Sequence, residues 1–352
     1  MAFSARVVAY CTLAVLALLA PLQAGADDRH RPHRVVVFGD SLSDPGNAFA
    51  LNGGVTVSPP TYGMDGVSNG LPEVITLIPE APYGSRRFSN GPTWIELLGA
   101  ATGLGSSVKP AVAGALIGAD DGRAANYAVG GARASGAGPF DLSGQVGLYL
   151  SDVRNRASAD ALYVIAIGGN DIRDSLAAEQ PAAVIGAALT KLGDNVVRLY
   201  QAGARKFLLW NVPNLGRTPA ILRLDAVVCG PAGIPGCIVN GARAASEGYN
   251  AGFNGVLLGL GALPEIEIVP FDTFASLEAI AGNPAKFGLV DASSACIQPN
   301  VPQFGFPSAS PFRCAQPDRV FFWDGIHPTR AGHAIIAFLV GKALLTEALQ
   351  ND

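Results

Sequence analysis

The segment 35–38 is apolar at every position rather than at every second one, which is the pattern of a strand buried on both faces and therefore of a parallel sheet. Further strands are predicted over 161–167, 206–211 and 266–271, with a weaker one over 124–129. Helical segments fall between and after them. The first spans 92–102, with Pro92 in its first turn and Gly103 just past its end. A second spans 181–202 and is stopped by Gly203, a third runs from about 243 to 260, and 329–349 closes the chain. Strands alternating with helices imply right-handed parallel crossovers, hence an α/β fold with a central, mostly parallel sheet covered on both faces. No linker or repeat divides 34–352, which is read as one domain. The segment 42–91 is rich in Gly, Pro, Ser and Asn and has little periodicity; loops of that length are usually functional.

The N-terminus modifies this picture. Residues 7–20 form an apolar run after Arg6, followed by Pro21 and the small residues Ala24-Gly25-Ala26. That layout is a secretory signal over 1–24, cut after Ala24 or Ala26, and the run is too short for a stable membrane anchor. The expectation is a secreted protein, extracellular or periplasmic. Cys11 leaves with the signal, and the four remaining cysteines are an even number, as disulfides require. Of the three connectivities, pairing Cys229 with Cys237 and Cys296 with Cys314 closes the shortest loops. Neither pair has the spacing of a zinc site, and with four histidines in all no metal or other cofactor is expected. A formal net charge of −4 without a basic run argues against nucleic acid as a partner.

Candidate chemistry gathers at the strand ends. The first strand stops abruptly at Gly39-Asp40-Ser41, and ligands of open α/β sheets bind at the carboxyl edge of the strands. Taken alone, Ser41 reads more readily as a helix N-cap than as a nucleophile. Two further predicted strands end in the small-residue clusters of Gly131 and Asn170, which parallel pairing carries to the same edge. Before the last helix, Asp324 stands three residues ahead of His327 in a turn containing Gly325 and Pro328. A serine nucleophile needs a base, and the base needs a partner that fixes its tautomer; His327 and Asp324 are residues of those types. His30 and His33 lie near the signal and His333 falls inside the last helix, so His327 is preferred. No Gly-x-Ser-x-Gly elbow surrounds Ser41, and no phosphate-binding loop occurs.

Four clusters in order resemble the GDSL or SGNH hydrolases: Gly39-Asp40-Ser41-Leu42-Ser43-Asp44, Asn126 to Ala132, Gly168-Gly169-Asn170-Asp171 and Asp324-Gly325-Ile326-His327-Pro328. Pro45 departs from the Thr usual in the extended first block. The resemblance implies a three-layer sandwich, Ser41 as nucleophile, His327 as base and Asp324 as its partner. It also implies an oxyanion hole made by the Ser41 and Gly131 N–H groups and the Asn170 amide. A secreted, cofactor-free serine esterase or lipase acting on a small-molecule or lipid ester follows. The alternatives are a phospholipase or acyltransferase on membrane lipid, a polysaccharide deacetylase, and a non-catalytic binding protein on the same fold. Phe304, Phe306, Phe312 and Phe321, in a loop braced by Cys296 and Cys314, serve either as an apolar wall for an acyl chain or as core anchors.

Overall fold

The computed structural model describes residues 32–51, 86–112, 123–297 and 314–351. The predicted signal, most of the 42–91 segment, and Phe304, Phe306 and Phe312 lie outside the described residues. Four strands, β1 (Arg34–Gly39), β2 (Ala161–Ala166), β3 (Lys206–Trp210) and β4 (Glu267–Phe271), form a parallel sheet in the order β1-β2-β3-β4. The first connection contains α1 (Asn47–Leu51), α2 (Trp94–Thr102) and α3 (Leu142–Asp152); the second contains α4 (Gly169–Ser175) and α5 (Pro181–Gln201). The third contains α6 (Pro219–Val228) and α7 (Cys237–Leu260). After β4 come α8 (Thr273–Gly282), a small parallel pair of β5 (Asp291–Ala295) and β6 (Val320–Phe322), and α9 (Arg330–Asn351).

Both faces of the sheet are covered, which explains its continuously apolar strands. Val36, Phe38, Tyr163, Ile165, Phe207 and Leu209 face α3, α5 and α7, where Val146, Val196 and Tyr249 are buried. The alternate residues Val35, Val37, Leu162, Val164, Leu208 and Trp210 face Trp94 and Ile95 of α2 and Ala337 and Val340 of α9. Crossovers of one hand that always step the same way place the helices leading into the next strand, α3, α5 and α7, on a single face. The opposite face is covered by α2, which comes earlier in the first connection, and by α9, which follows the last strand of the sheet. By length and composition α9 is apolar enough to cross a membrane. Its buried residues Ala331, His333, Ile335, Ala337 and Val340 account for that character as a core helix. Pro270 is tolerated because β4 is the last strand of the sheet, where a missing N–H costs no ladder bond on the outer side.

Two local features differ from the sequence expectation, and a third falls on one side of an open alternative. The segment 124–129 is not a continuous strand. It lies along the free edge of β1 through Val37 N–H to Ala125 O (2.9 Å), Tyr127 N–H to Val37 O (2.8 Å) and Val129 N–H to Gly39 O (3.2 Å). Asn126, in its middle, bridges to both Val37 and Pro110. Next, α7 begins at Cys237, well before the predicted 243. Asp225 of α6 accepts N–H groups from Gly236 (2.8 Å), Ile238 (2.8 Å) and Val239 (3.2 Å), capping the early start from another helix. Last, Phe321 takes the core-anchor side of its two readings, packed edge-on against Phe322 and clustered with Leu277, Ile280 and Ile335. Disulfides join Cys229 to Cys237 and Cys296 to Cys314.

Candidate active site

The site is built outward from the end of β1. A Cβ at position 39 would lie 2.7 Å from Ala166 O, so only glycine lets the ends of β1 and β2 come this close. Gly39 is also gripped by the buried Gln145 of α3, whose Oε1 accepts its N–H (2.9 Å) and whose Nε2 donates to its carbonyl (2.8 Å). Just beyond, Leu42 N–H donates to Asp40 Oδ1 (3.0 Å) and Ser43 N–H to Asp40 O (3.0 Å), turning the chain sharply around Ser41. Burial pushes the Asp40 carboxyl up to about 6.

Ser41, His327 and Asp324 come together in one chain of hydrogen bonds. His327 Nδ1 lies 2.7 Å from Asp324 Oδ2 and His327 Nε2 lies 2.8 Å from Ser41 Oγ. With Nδ1–H donating to the carboxylate, Nε2 is left to accept the serine proton. Asp324 is fully buried, and its other oxygen accepts N–H groups from Ile326 (2.9 Å) and His327 (2.7 Å). The same carboxylate therefore shapes the turn and orients the ring. β5 and β6 carry this turn: Ile297 N–H donates to Trp323 O (2.7 Å), Trp323 N–H to His327 O (2.7 Å) and Thr329 N–H to Phe321 O (2.7 Å).

Gly131 and Asn170 reach the same edge of the sheet. Gly131 has φ +84°, open to glycine and strained for other residues. The Asn170 side-chain amide donates to Ala132 O (2.8 Å), which ties α4 to the Gly131 turn and leaves its second N–H unused by that bond. Beside the turn lies a cleft of about 300 Å³ lined by Gly131, Ala132, Phe140 and the ion-paired Arg133 and Asp174.

Two carboxylates hold these loops in register; the sequence reading has both inside its clusters but gives neither a role. Asp44 accepts N–H groups from Gly46 (2.7 Å), Asn47 (2.6 Å), Ala48 (3.1 Å) and, across the site, Gly130 (2.8 Å). Burial pushes it up to about 6 against the pull of those donors. Asp171 accepts from Ala134 N–H (2.8 Å), Ser135 N–H (2.9 Å) and Ser135 O–H (2.6 Å), and burial raises it as well. Asn47 adds two donations, to Asn126 O and Ala128 O, both at 2.8 Å. The signal for Asp44 and Asn47 was an acid and an amide following Ser41 in a segment too polar to fill a core.

His333 has a different role from His327. Its Nδ1 accepts Trp94 N–H (3.2 Å), and burial, with His327 nearby, drives it down to about 3, so it is neutral near pH 7. Among the described residues, Asp225, Cys229 and Cys237 bring ligand-type atoms within 4.8 Å of one another. Both sulfurs are spent in the disulfide and the carboxylate caps α7, so the group offers no thiolate.

Comparison with known proteins gives a consistent result. A family model described as GDSL-like lipase/acylhydrolase matches residues 35–340. A GDSL esterase/lipase of Arabidopsis thaliana is 24% identical over 335 residues, covering 86% of this chain and 88% of the relative. A second Arabidopsis thaliana GDSL esterase/lipase is 26% identical, covering 86% and 81%. A phosphatidylcholine-sterol acyltransferase of Aeromonas hydrophila is 25% identical over 374 residues, covering 92% of this chain and 93% of the relative.

Proposed function

The chain belongs to the GDSL-like lipase/acylhydrolase family, and from that premise we propose that it is a secreted serine esterase or lipase working through an acyl-enzyme. The observation that carries the reading is the unbroken chain from Ser41 Oγ through His327 to Asp324. Ser41 Oγ attacks the ester carbonyl carbon as its proton passes to His327 Nε2, and Asp324 stabilises the imidazolium. The negative charge on the tetrahedral carbonyl oxygen meets the N–H groups of Ser41 and Gly131 and the second N–H of Asn170. The bond to the alcohol oxygen then breaks, and His327 returns the proton to that oxygen. Water, deprotonated by His327, attacks the acyl-Ser41; the acid leaves and Ser41 recovers its proton. The signal-like N-terminus and the two disulfides support export.

The test pairs an active-site serine phosphonate with p-nitrophenyl esters. Wild-type protein is expected to be labelled at Ser41 and to hydrolyse the esters, whereas Ser41→Ala does neither while keeping its circular dichroism spectrum. A folded Ser41→Ala protein with near-wild-type turnover refutes the assignment. The similarity to the Aeromonas acyltransferase favours a second reading, in which a lipid alcohol takes the place of water in the second step. Incubation with phosphatidylcholine and a sterol separates the two, since transfer yields a steryl ester and hydrolysis yields free fatty acid.

A further inference from the structure

Segment 87–91 contains no residue assigned above, yet it grips the His327 turn at several points. The Phe88 ring stacks on the His327 imidazole, with centroids 5.3 Å apart and planes 29° from parallel. At the end of the 124–129 segment, a Cβ at position 130 would lie 2.2 Å from Phe88 Cε2 and 2.4 Å from Cζ, so the ring fills the space that Gly130 leaves. Phe88 is thus wedged, fully buried, between the imidazole and the turn that carries Gly131, and Ala48 and Val129 complete its pocket. The next two residues fasten the chain beyond His327: Ser89 O–H donates to Pro328 O (2.8 Å) and Asn90 Oδ1 accepts Arg330 N–H (2.7 Å). Arg87, ion-paired with Glu96, anchors the segment to α2, and Asp318 holds the Arg330 side chain.

We infer that Phe88 is a positioning residue for the proposed hydrolysis, its ring face holding the His327 imidazole in line with Ser41 Oγ and favouring the imidazolium that forms on proton transfer. This rests on the reading of Ser41 and His327 given above. An aromatic face attracts a cation that lies over it, so the contact strengthens as the imidazole takes the serine proton. Strengthening in the transition state acts on kcat rather than on substrate binding. The effect also runs entirely through His327, whereas general support of the fold would be felt whether or not that ring is present.

Phe88→Leu keeps the apolar volume and removes the ring face; Phe88→Met is read in its place if the leucine variant does not fold. Each is measured on p-nitrophenyl butyrate alone and combined with His327→Ala. The expected result is a fall of roughly tenfold in kcat with KM within about twofold, slower phosphonate labelling of Ser41 by a similar factor, and no further loss in the His327→Ala background. Unchanged kcat, a loss confined to KM, or the same loss in both backgrounds overturns the inference while leaving the esterase reading intact. Wild-type protein that hydrolyses no ester and takes no phosphonate overturns both.

Discussion

At the scale of single residues, the short distances identify donors and acceptors, and these identify what each substitution should do. Asn170 Nδ2 is anchored on Ala132 O, which holds its second N–H in place for the oxyanion role proposed above. Asn170→Ala is therefore expected to lower kcat by about 10²- to 10³-fold with a smaller change in KM, as for loss of one oxyanion donor. Steady-state kinetics decide it, and a pure KM effect would move Asn170 to substrate binding. His333 accepts an N–H from Trp94 rather than a proton from Ser41. His333→Gln, which keeps an acceptor, should retain most activity while His327→Ala loses it. The aspartate and histidine of this site were legible in the sequence because they are three residues apart in one turn. Asp44 and Gln145 were not, because what they hold, Gly130 and Gly39, lies 86 and 106 residues away.

At the scale of elements, legibility followed the strength of the local signal. The strands β1 to β4 and the helices α2, α5 and α9 fall within a few residues of their predicted spans, since apolar runs and Pro or Gly boundaries mark them. Helix α3 was missed: Gly144 and Gly147 dilute its helical pattern, yet a Cβ at 144 would sit 2.3 Å from Pro139 O, so packing demands the glycine that hides the helix. Helices α1, α4, α6 and α8 are ten residues or shorter, and β5 and β6 are shorter still, leaving too few periods to count. For α2 the ends are well specified. Glu96 Oε2 accepts Thr93 N–H (2.9 Å) and Thr93 O–H (3.0 Å), and Gly103 closes the helix at φ +79°. Thr93→Ala should cost about 1 kcal/mol, read as a lower urea midpoint at unchanged slope. It should also reduce activity less than Phe88→Leu, since the Phe88 ring stacks on the His327 imidazole itself whereas Thr93 acts through the end of α2.

At the scale of the whole molecule, buried titratable groups set how stability depends on pH, and they pull in opposite directions. Asp40 and Asp44 stand at about 6 in the folded protein against 3.8 for the free carboxyl. The folded state therefore holds protons that the unfolded chain has released, and their contribution is full below 3.8 and lost as pH rises through 6. His333 stands at about 3 against 6.5, so its contribution is full above 6.5 and lost as pH falls through 3. Acidification from neutrality thus relieves the two carboxyls down to 3.8 while His333 works against the fold throughout; below 3.8 only the histidine penalty of this set continues to grow. The helices α2 and α9 meet at this imidazole, where Trp94 N–H is its donor, so charging it strains the layer that covers the second face of the sheet. Acid unfolding followed by circular dichroism should consequently set in at lower pH in His333→Gln than in the wild type. Asp40→Asn, in contrast, should remove one of the two carboxyl gains on acidification between 6 and 3.8, leaving Asp44 alone to offset His333 there. An acid midpoint unmoved by His333→Gln would locate the sensitivity in other groups and separate the buried histidine from the pH limit of the fold.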